Sequence, residues 1–365
     1  MRQRWEATWR ELALAARRLR RQWRVATLAV GTLAVALGAT AAMFSVFASL
    51  VWNPLPYPDS QQLVWLQPAQ LSSGAAAGQG FSTPDYLDYR AQSRALAFLG
   101  AYSMNEATLV GNGAPQHVTY ASVSGDFFPA LGVAPLLGQW IGRADEVPSL
   151  PQVAVLSYGV WQRRFGGDRR ILGKSVNLDN RLLTIVAVMP PGFEYPQGTD
   201  LWMSKALYTG TTSQRRDYRF LSAFGRLRPG VALAAAQQDL SAEARRLADV
   251  YAATNADHGV KIEPLAQEVA GPVAATLAMM MLAALLVLGI ACANVANLLL
   301  AGAVGRWREM ALRASLGATR ARLGAQLFAE YALLAGLAGT LGWLLATGLV
   351  PLIRGWRPPG LPQLA

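Results

Sequence analysis

One stretch constrains this chain more than any other, and it runs from Val273 to Arg322. It opens with VAATLAMMMLAALLVLGIACANVANLLLAGA, an apolar run of about thirty residues. That is enough for a helix to cross a hydrocarbon core of ~30 Å at ~1.5 Å per residue. It continues without a break into GRWREMALRASLGATRAR, where five arginines meet one glutamate. Short loops rich in Lys and Arg are retained on the cytoplasmic side, so this stretch reads as a transmembrane helix delivering a basic helical element to the cytosol.

The charge distribution follows the same logic. The formal net charge of +11 is carried by the flanks of apolar runs: eight arginines and two glutamates in residues 1–24, and five arginines and one glutamate in 306–322. Residues 53–271 hold 18 basic and 18 acidic side chains and are neutral as a block. A basic surface for nucleic acid is therefore the weaker reading, and no nucleic-acid partner is expected.

Two further spans are legible. Residues 1–24 place Trp5, Trp9, Leu12, Ala16, Leu19 and Trp23 on one helical face with arginines around the rest, the pattern of a helix lying in the membrane interface against lipid. Residues 25–51 carry no charge and are too long for a cleaved signal, so they read as an anchor with a cytoplasmic N-terminus. Within it Ala34, Gly38 and Ala42 form a small-xxx-small row that lets another helix approach closely. The alternating prolines 54, 56 and 58 end that helix. A last span is expected over 326–353, with small faces at Gly336, Ala338, Gly339, Gly342 and Ala346, followed by a tail over 354–365 on the far side. The resulting order is in, out, in, out.

Residues 52–271 contain no apolar run of membrane length and read as a large extracytoplasmic α+β domain. Strands are expected near Leu63–Leu66, Val118–Val123, Val153–Leu156, Leu182–Val188, Phe220–Leu227 and Val260–Leu265, and helices over Pro84–Phe98 and Val231–Ala252. The middle, about 126–214, is denser in Gly and Pro, as if inserted between outer parts that pair with each other. The fold class is thus membrane α-helical, with three predicted transmembrane helices (25–51, 272–303 and 326–353) and this domain between the first two. Residues 304–325 are left as a cytoplasmic element.

No catalytic, cofactor-binding or metal site is expected. Gly167-Asp-Arg-Arg-Ile-Leu-Gly173-Lys174-Ser175 imitates a phosphate loop, but five residues separate its glycines where the motif has four, and its flanks read helix then strand, the reverse of the required order. Asp85 with Asp88, and Asp145 with Glu146, read as surface charges or helix caps. The single cysteine, Cys292, forms no disulfide within one chain. Asn294 and Asn297, in the second span, read as packing amides that meet a neighbouring helix.

Several stretches, taken together, resemble the permeases of MacB/FtsX-type ABC transporters, in the acidobacterial-type group. They are TLAVALGATAAMFSVFASLVWNPLPYPDSQQLV, FSTPDYLDYRAQSRALAFLGAY, VSGDFFPALGVAPLLGQWI, VAVLSYGVWQRRFGGDRRILGKSVNLDN, TIVAVMPPGF and ACANVANLLLAGAVGRWREMALRASLGATRARL. The resemblance implies a permease subunit of the bacterial inner membrane. In this arrangement a separate ABC ATP-binding subunit hydrolyses ATP beneath two permease copies, and the motion passes to the outer domain for efflux or export, with a periplasmic or outer-membrane partner. The alternatives are an FtsX-like regulator of an extracytoplasmic partner and a membrane-anchored binding or sensor module. Carried onto this chain, the element that couples to the ATPase subunit is Arg308, Glu309, Arg313, Gly317, Thr319 and Arg320. Glu309 and Arg313 stand at i, i+4 and pair on a helix. The family pattern also has a fourth helix, and this group commonly repeats the whole unit; this sequence stops after the third span.

Overall fold

The computed structural model describes residues 23–51, 55–78, 80–111, 113–147, 150–204, 214–304, 315 and 320–355. Its described residues fall into two compact units, one drawn from within 23–51 and 272–355 and the other from within 55–271.

In chain order the elements are α1 (Trp23–Val51), β1 (Leu63–Ala69), α2 (Thr83–Gln92), β2 (Leu96–Val110), β3 (Gln116–Val123) and α3 (Phe127–Leu131). There follow β4 (Leu137–Gly138), β5 (Val153–Leu156), α4 (Tyr158–Phe165), β6 (Ser175–Leu178), β7 (Arg181–Val188) and β8 (Leu201–Ser204). The chain continues through β9 (Ser222–Leu227), α5 (Leu233–Val250), α6 (Ala252–Asn255), β10 (Gly259–Pro264), α7 (Leu265–Val304) and α8 (Arg320–Gly355). Among the described residues, three stretches are long and apolar enough to cross a membrane: Trp23–Ala48, Ala274–Ala301 and Phe328–Leu349. The chain is therefore a membrane α-helical protein carrying a large mixed α/β domain.

The strands of that domain form one sheet in the order β10-β1-β9-β2-β3-β8-β5-β7-β4, with β6 bridging β2 and β7. β1 pairs antiparallel with both β10 and β9, so segments nearly two hundred residues apart in sequence are neighbours (Leu66 opposite Ile262). β2, 15 residues long, holds the sheet together. Its first half pairs with β9, its second with β3, and its last residues Leu109 and Val110 with β6. Because β6 also pairs with β7, the path β2-β3-β8-β5-β7-β6 closes on itself.

Alternation along the strands assigns side chains to three cores. Val64 and Leu66 of β1 join Tyr86 and Tyr89 of α2 and Ala236, Leu240, Ala244 and Leu247 of α5. Leu63 points the other way, into an aromatic core with Phe127, Phe128, Phe193, Tyr195, Trp202 and Phe224, to which Leu265, the first residue of α7, also belongs. The third core fills the closed ring, where Leu109, Leu156, Val176, Leu183 and Ile185 meet Val160, Trp161 and Phe165 of α4.

The helix expected over Pro84–Phe98 ends six residues early, at Gln92. Asp239 of α5 is the cause. Its carboxylate accepts the Ser93 hydroxyl at 2.8 Å and the backbone N–H groups of Arg94 and Ala95 at 2.9 and 3.1 Å, donors that a continuing helix would have used. Leu96–Phe98 is then free to begin β2. The strand expected over Val260–Leu265 ends at Pro264, and α7 begins at Leu265.

Candidate functional site

Five of the six residues singled out for coupling, Arg308, Glu309, Arg313, Gly317 and Thr319, lie outside the described residues, as does most of the basic amphipathic segment 1–24. Arg320 is the first residue of α8, so the helix holding the last span starts inside the basic segment. The segment carrying the coupling residues is thus bounded by Val304 at the end of α7 and Arg320 at the start of α8.

Within the membrane unit, α1 and α8 touch through small residues. A Cβ built on Gly38 would stand 3.0 Å from the Gly342 carbonyl oxygen, and one on Gly342 would stand 3.0 Å from the Ala34 carbonyl oxygen. Ala34 and Ala42, a turn to either side of Gly38, are buried, as are Ala338 and Ala346 on α8. The backbones meet because no side chain stands between them, which is how helices associate where lipid offers no hydrophobic gain. The Thr40 hydroxyl donates to Ala36 of its own helix at 2.8 Å and reaches the Ala284 carbonyl of α7 at 3.4 Å.

In the extracytoplasmic unit, one cluster of charges is centred on a buried carboxylate, Asp85. Ser82 caps α2, accepting the Asp85 N–H at 3.2 Å, which places Asp85 in the first turn as expected. It is not a surface charge. One carboxylate oxygen accepts from Arg216 at 2.6 Å and from Asn255 at 2.9 Å, and the other from Arg219 at 2.6 Å. Arg216 also reaches Asp88 at 2.7 Å, and its guanidinium lies 3.6 Å from the centroid of the Tyr251 ring. Two acids at i, i+3 on one helix therefore hold two arginines that precede β9, and the helix pair α5–α6 closes over them. Beside them, burial and the Arg219 cation lower the His258 pKa below its ordinary value.

Glu146 is likewise buried rather than superficial. It accepts both Arg90 Nη1, at 2.8 and 3.0 Å, and the Gly125 N–H at 2.7 Å. Asp145 does act as a cap, holding the Gly142 N–H at 2.8 Å. Asp126 takes a two-pronged contact from Arg143 at 2.7 and 2.6 Å. An open cleft of about 260 Å³ lies between Tyr57, Val133 and the turn Pro190–Phe193.

The imitation phosphate loop is closed by its own chain. Gly173 N–H donates to Ile185 O at 2.8 Å, Lys174 N–H to Ile171 O at 3.1 Å, and Lys174 Nζ binds Asp168 at 3.1 Å. Helix α4 precedes it and strand β6 follows. Among the described residues, no group of three or more His, Cys, Asp or Glu side chains could hold a metal ion.

Sequence reasoning passed over Arg216, Arg219 and Asn255. The available signal was the i, i+3 spacing of Asp85 and Asp88, which puts two anions on one helix face and calls for cations opposite.

Three membrane-length helices, with a mixed sheet domain inserted between the first and second, define a class: a membrane-anchored permease with a large extracytoplasmic domain. The profile of the MacB-like periplasmic core domain matches residues 26–243, and that of the FtsX-like permease C-terminal matches residues 281–363. The chain belongs to the MacB/FtsX-type permease family. Among its relatives, the macrolide export ATP-binding/permease protein MacB of Burkholderia lata is 27% identical over 236 residues, covering 63% of this chain and 33% of the relative. The protein of the same name from Burkholderia cenocepacia is 26% identical over 240 residues, covering 64% and 34%. The chain thus spans about a third of the length of the curated relatives it matches. Among solved structures, the periplasmic region of MacB from Actinobacillus actinomycetemcomitans aligns with TM-score 0.44 and 14% identity, over 59% of this chain and 93% of that one. The extracellular domain of the noncanonic ABC-type transporter YknZ from Gram-positive bacteria aligns with TM-score 0.41 and 13% identity, over 55% and 99%.

Proposed function

We propose that this chain is the permease subunit of an ABC transporter of the bacterial inner membrane. In this reading a separate ATP-binding subunit acts on the cytoplasmic segment between α7 and α8, and the membrane helices carry its motion to the extracytoplasmic domain for efflux or export. The N-terminus is cytoplasmic, a second permease copy completes the assembly, and a periplasmic or outer-membrane partner receives the cargo. The observation that carries the reading is the joint match of one chain to a MacB-like core and an FtsX-like permease end, the latter running from within α7 through the basic segment and α8. The relatives' name as macrolide export proteins supports export as the direction of work.

The chemistry of the segment supports the same partner. Arg308, Arg313 and Arg320 offer cations to an acidic groove, and Glu309 at i, i+4 from Arg313 sets the helical register in which they are presented. Retention of the loop in the cytosol needs only positive charge, whereas Glu309 and Gly317 add features suited to a shaped contact. The test is reversal of Arg313 and Arg320 to glutamate in the full chain, co-expressed with its ATP-binding subunit. Stimulation of ATP hydrolysis is expected to be lost while membrane insertion persists. Unchanged stimulation, or an ATP-binding subunit that never copurifies with the wild type, overturns the assignment. A reporter active only outside the cytoplasm, fused after Arg308, is expected to be silent.

A further inference from the structure

Residues 55–59 form the connector that follows α1 in the chain and leads to β1. Prolines at 56 and 58 have no N–H to give, so this backbone cannot be tied down by its own donors there. Leu55 is buried and Tyr57 half-buried in the aromatic core. Such apolar contacts are non-directional and do not fix register. Among the described residues, the hydrogen bonds that join 55–59 to a distant part of the chain all come from Arg226 of β9. Its Nη2 donates to the Pro58 carbonyl at 3.0 Å and its Nη1 to the Asp59 carbonyl at 3.4 Å.

The same guanidinium grips the end of α3. Nε donates to the Ala130 carbonyl at 2.7 Å and Nη2 to the Leu131 carbonyl at 3.2 Å. These are the last carbonyls of α3, without partners in the helix and at the negative end of its dipole. Gly132 then ends the helix with a φ of 71°. A Cβ there would stand 3.3 Å from Arg226 Nη2, so glycine both turns the chain and leaves the guanidinium its place.

The two segments that Arg226 joins are two walls of the open cleft of about 260 Å³. Pro56 and Tyr57 belong to the connector, and Val133 directly follows Gly132. The third wall, the turn Pro190–Phe193, follows β7, and no Arg226 hydrogen bond reaches it. Hydrogen bonds from a charged donor are directional and stronger than neutral ones. A connector that moves therefore carries the end of α3 with it, and the two walls shift together against the third.

We infer that Arg226 is a clasp that converts movement of the α1 connector into a change in the width of this cleft. The inference rests on the proposed role of the membrane helices in carrying motion outward, and it names the part of the domain that responds. Arg226 acts through the segments it holds and is a positioning residue.

The experiment uses the full chain with its ATP-binding subunit in lipid nanodiscs. In a Cys292→Ser background, Ala134→Cys and Pro191→Cys, both exposed, carry nitroxide labels on the second and third walls. Their separation is measured by electron paramagnetic resonance, nucleotide-free and with ATP trapped. Arg164 supplies the control, since it binds carbonyls in the same manner, at Leu109, Gly111 and Ala114, away from the cleft. The distance is expected to shift between the two states in the wild type and in Arg164→Gln, and to lose that shift in Arg226→Gln. Arg226→Lys keeps the charge without the fork and is expected to lose it as well. In the chain alone, Arg226→Gln is expected to speed amide exchange at Ser60 and Gly132 about tenfold, with β3 and α5 unchanged.

A shift that persists in Arg226→Gln or Arg226→Lys, an equal loss in Arg164→Gln, or unchanged exchange at both amides overturns the clasp. So does a wild-type distance that never responds to nucleotide; where the chain still stimulates ATP hydrolysis, the transport reading survives that result. A chain that never stimulates the ATP-binding subunit refutes instead the reading on which the clasp rests.

Discussion

Gly38 and Gly342 stand back to back, each so close to the other's helix that an added Cβ would fall 3.0 Å from a backbone carbonyl oxygen. Neither glycine is there for its own backbone conformation; each is there so that its neighbour can come near. Alanine at either position requires the axes to part by a few tenths of an ångström, and a branched residue requires more. Gly38→Val and Gly342→Val are each expected to destabilise the detergent-solubilised chain by about 1–3 kcal/mol. Gly31→Val, where a Cβ meets nothing within 4 Å, reports the cost of valine in the helix alone. Thermal unfolding of the three variants checks the order.

Asp85 holds Arg216, Arg219 and Asn255 at once and is almost fully buried. Its removal leaves two guanidinium groups, one of them also well buried, short of their counter-ion. Breaking a buried pair from one side is costly because the remaining charge is uncompensated, so Asp85→Asn is expected to lose about 3–5 kcal/mol. Asp88→Asn, which removes a contact to Arg216 at a more exposed position, is expected to lose less than half of that. Denaturant unfolding followed by tryptophan fluorescence distinguishes the two.

His258 makes stability depend on pH in a stated direction. Burial first and Arg219 second lower its pKa in the fold, against smaller opposite effects from Asp85 and Asp257. Its Nδ1 is buried with no hydrogen-bond partner among the described residues, as suits a neutral ring. Above the ordinary value of 6.5 both folded and unfolded chains hold the ring neutral, and the contribution is fully present. As pH falls below 6.5 the unfolded chain takes up the proton first, and stability drops until the lowered folded pKa is passed. The thermal midpoint of the wild type is therefore expected to decline between pH 7 and 5 more steeply than that of His258→Gln.

Local pattern carried much of this architecture. The strand Val153–Leu156 was legible to the residue because a short β-branched run sits between turn signals. The row Ala34, Gly38, Ala42 was legible as a contact face because small residues at steps of four have one obvious use in a membrane. What local pattern could not carry was set by distant partners. The long strand β2 begins only because Asp239, almost 150 residues downstream in α5, takes the N–H groups of Arg94 and Ala95. Asp85 and Glu146 look superficial until Arg216, Arg219 and Arg90 arrive from elsewhere in the chain to neutralise them. Of the residues expected to couple, only Arg320 falls on a described element.

Gly125 and Gly142 face one another beneath α3, yet only one of them must be glycine. A Cβ on Gly125 would overlap the Arg143 nitrogen and the Gly142 carbonyl carbon, and both are backbone atoms that cannot swing aside. A Cβ on Gly142 would meet only an Asp145 carboxylate oxygen, at 3.9 Å, and its φ of −113° suits any residue. The close approach matters because the same short segment aligns two buried acids. The Gly125 N–H binds Glu146, and Asp126 next to it binds Arg143. Forcing the strands of this loop apart would loosen both contacts together with Phe127 and Phe128, which are fully buried at the head of α3. Gly125→Ala is accordingly expected to cost about 2–3 kcal/mol in denaturant unfolding, against under ~0.5 kcal/mol for Gly142→Ala. Equal losses for the two alanines would show that the segment yields under strain and that Gly125 is not what positions these acids.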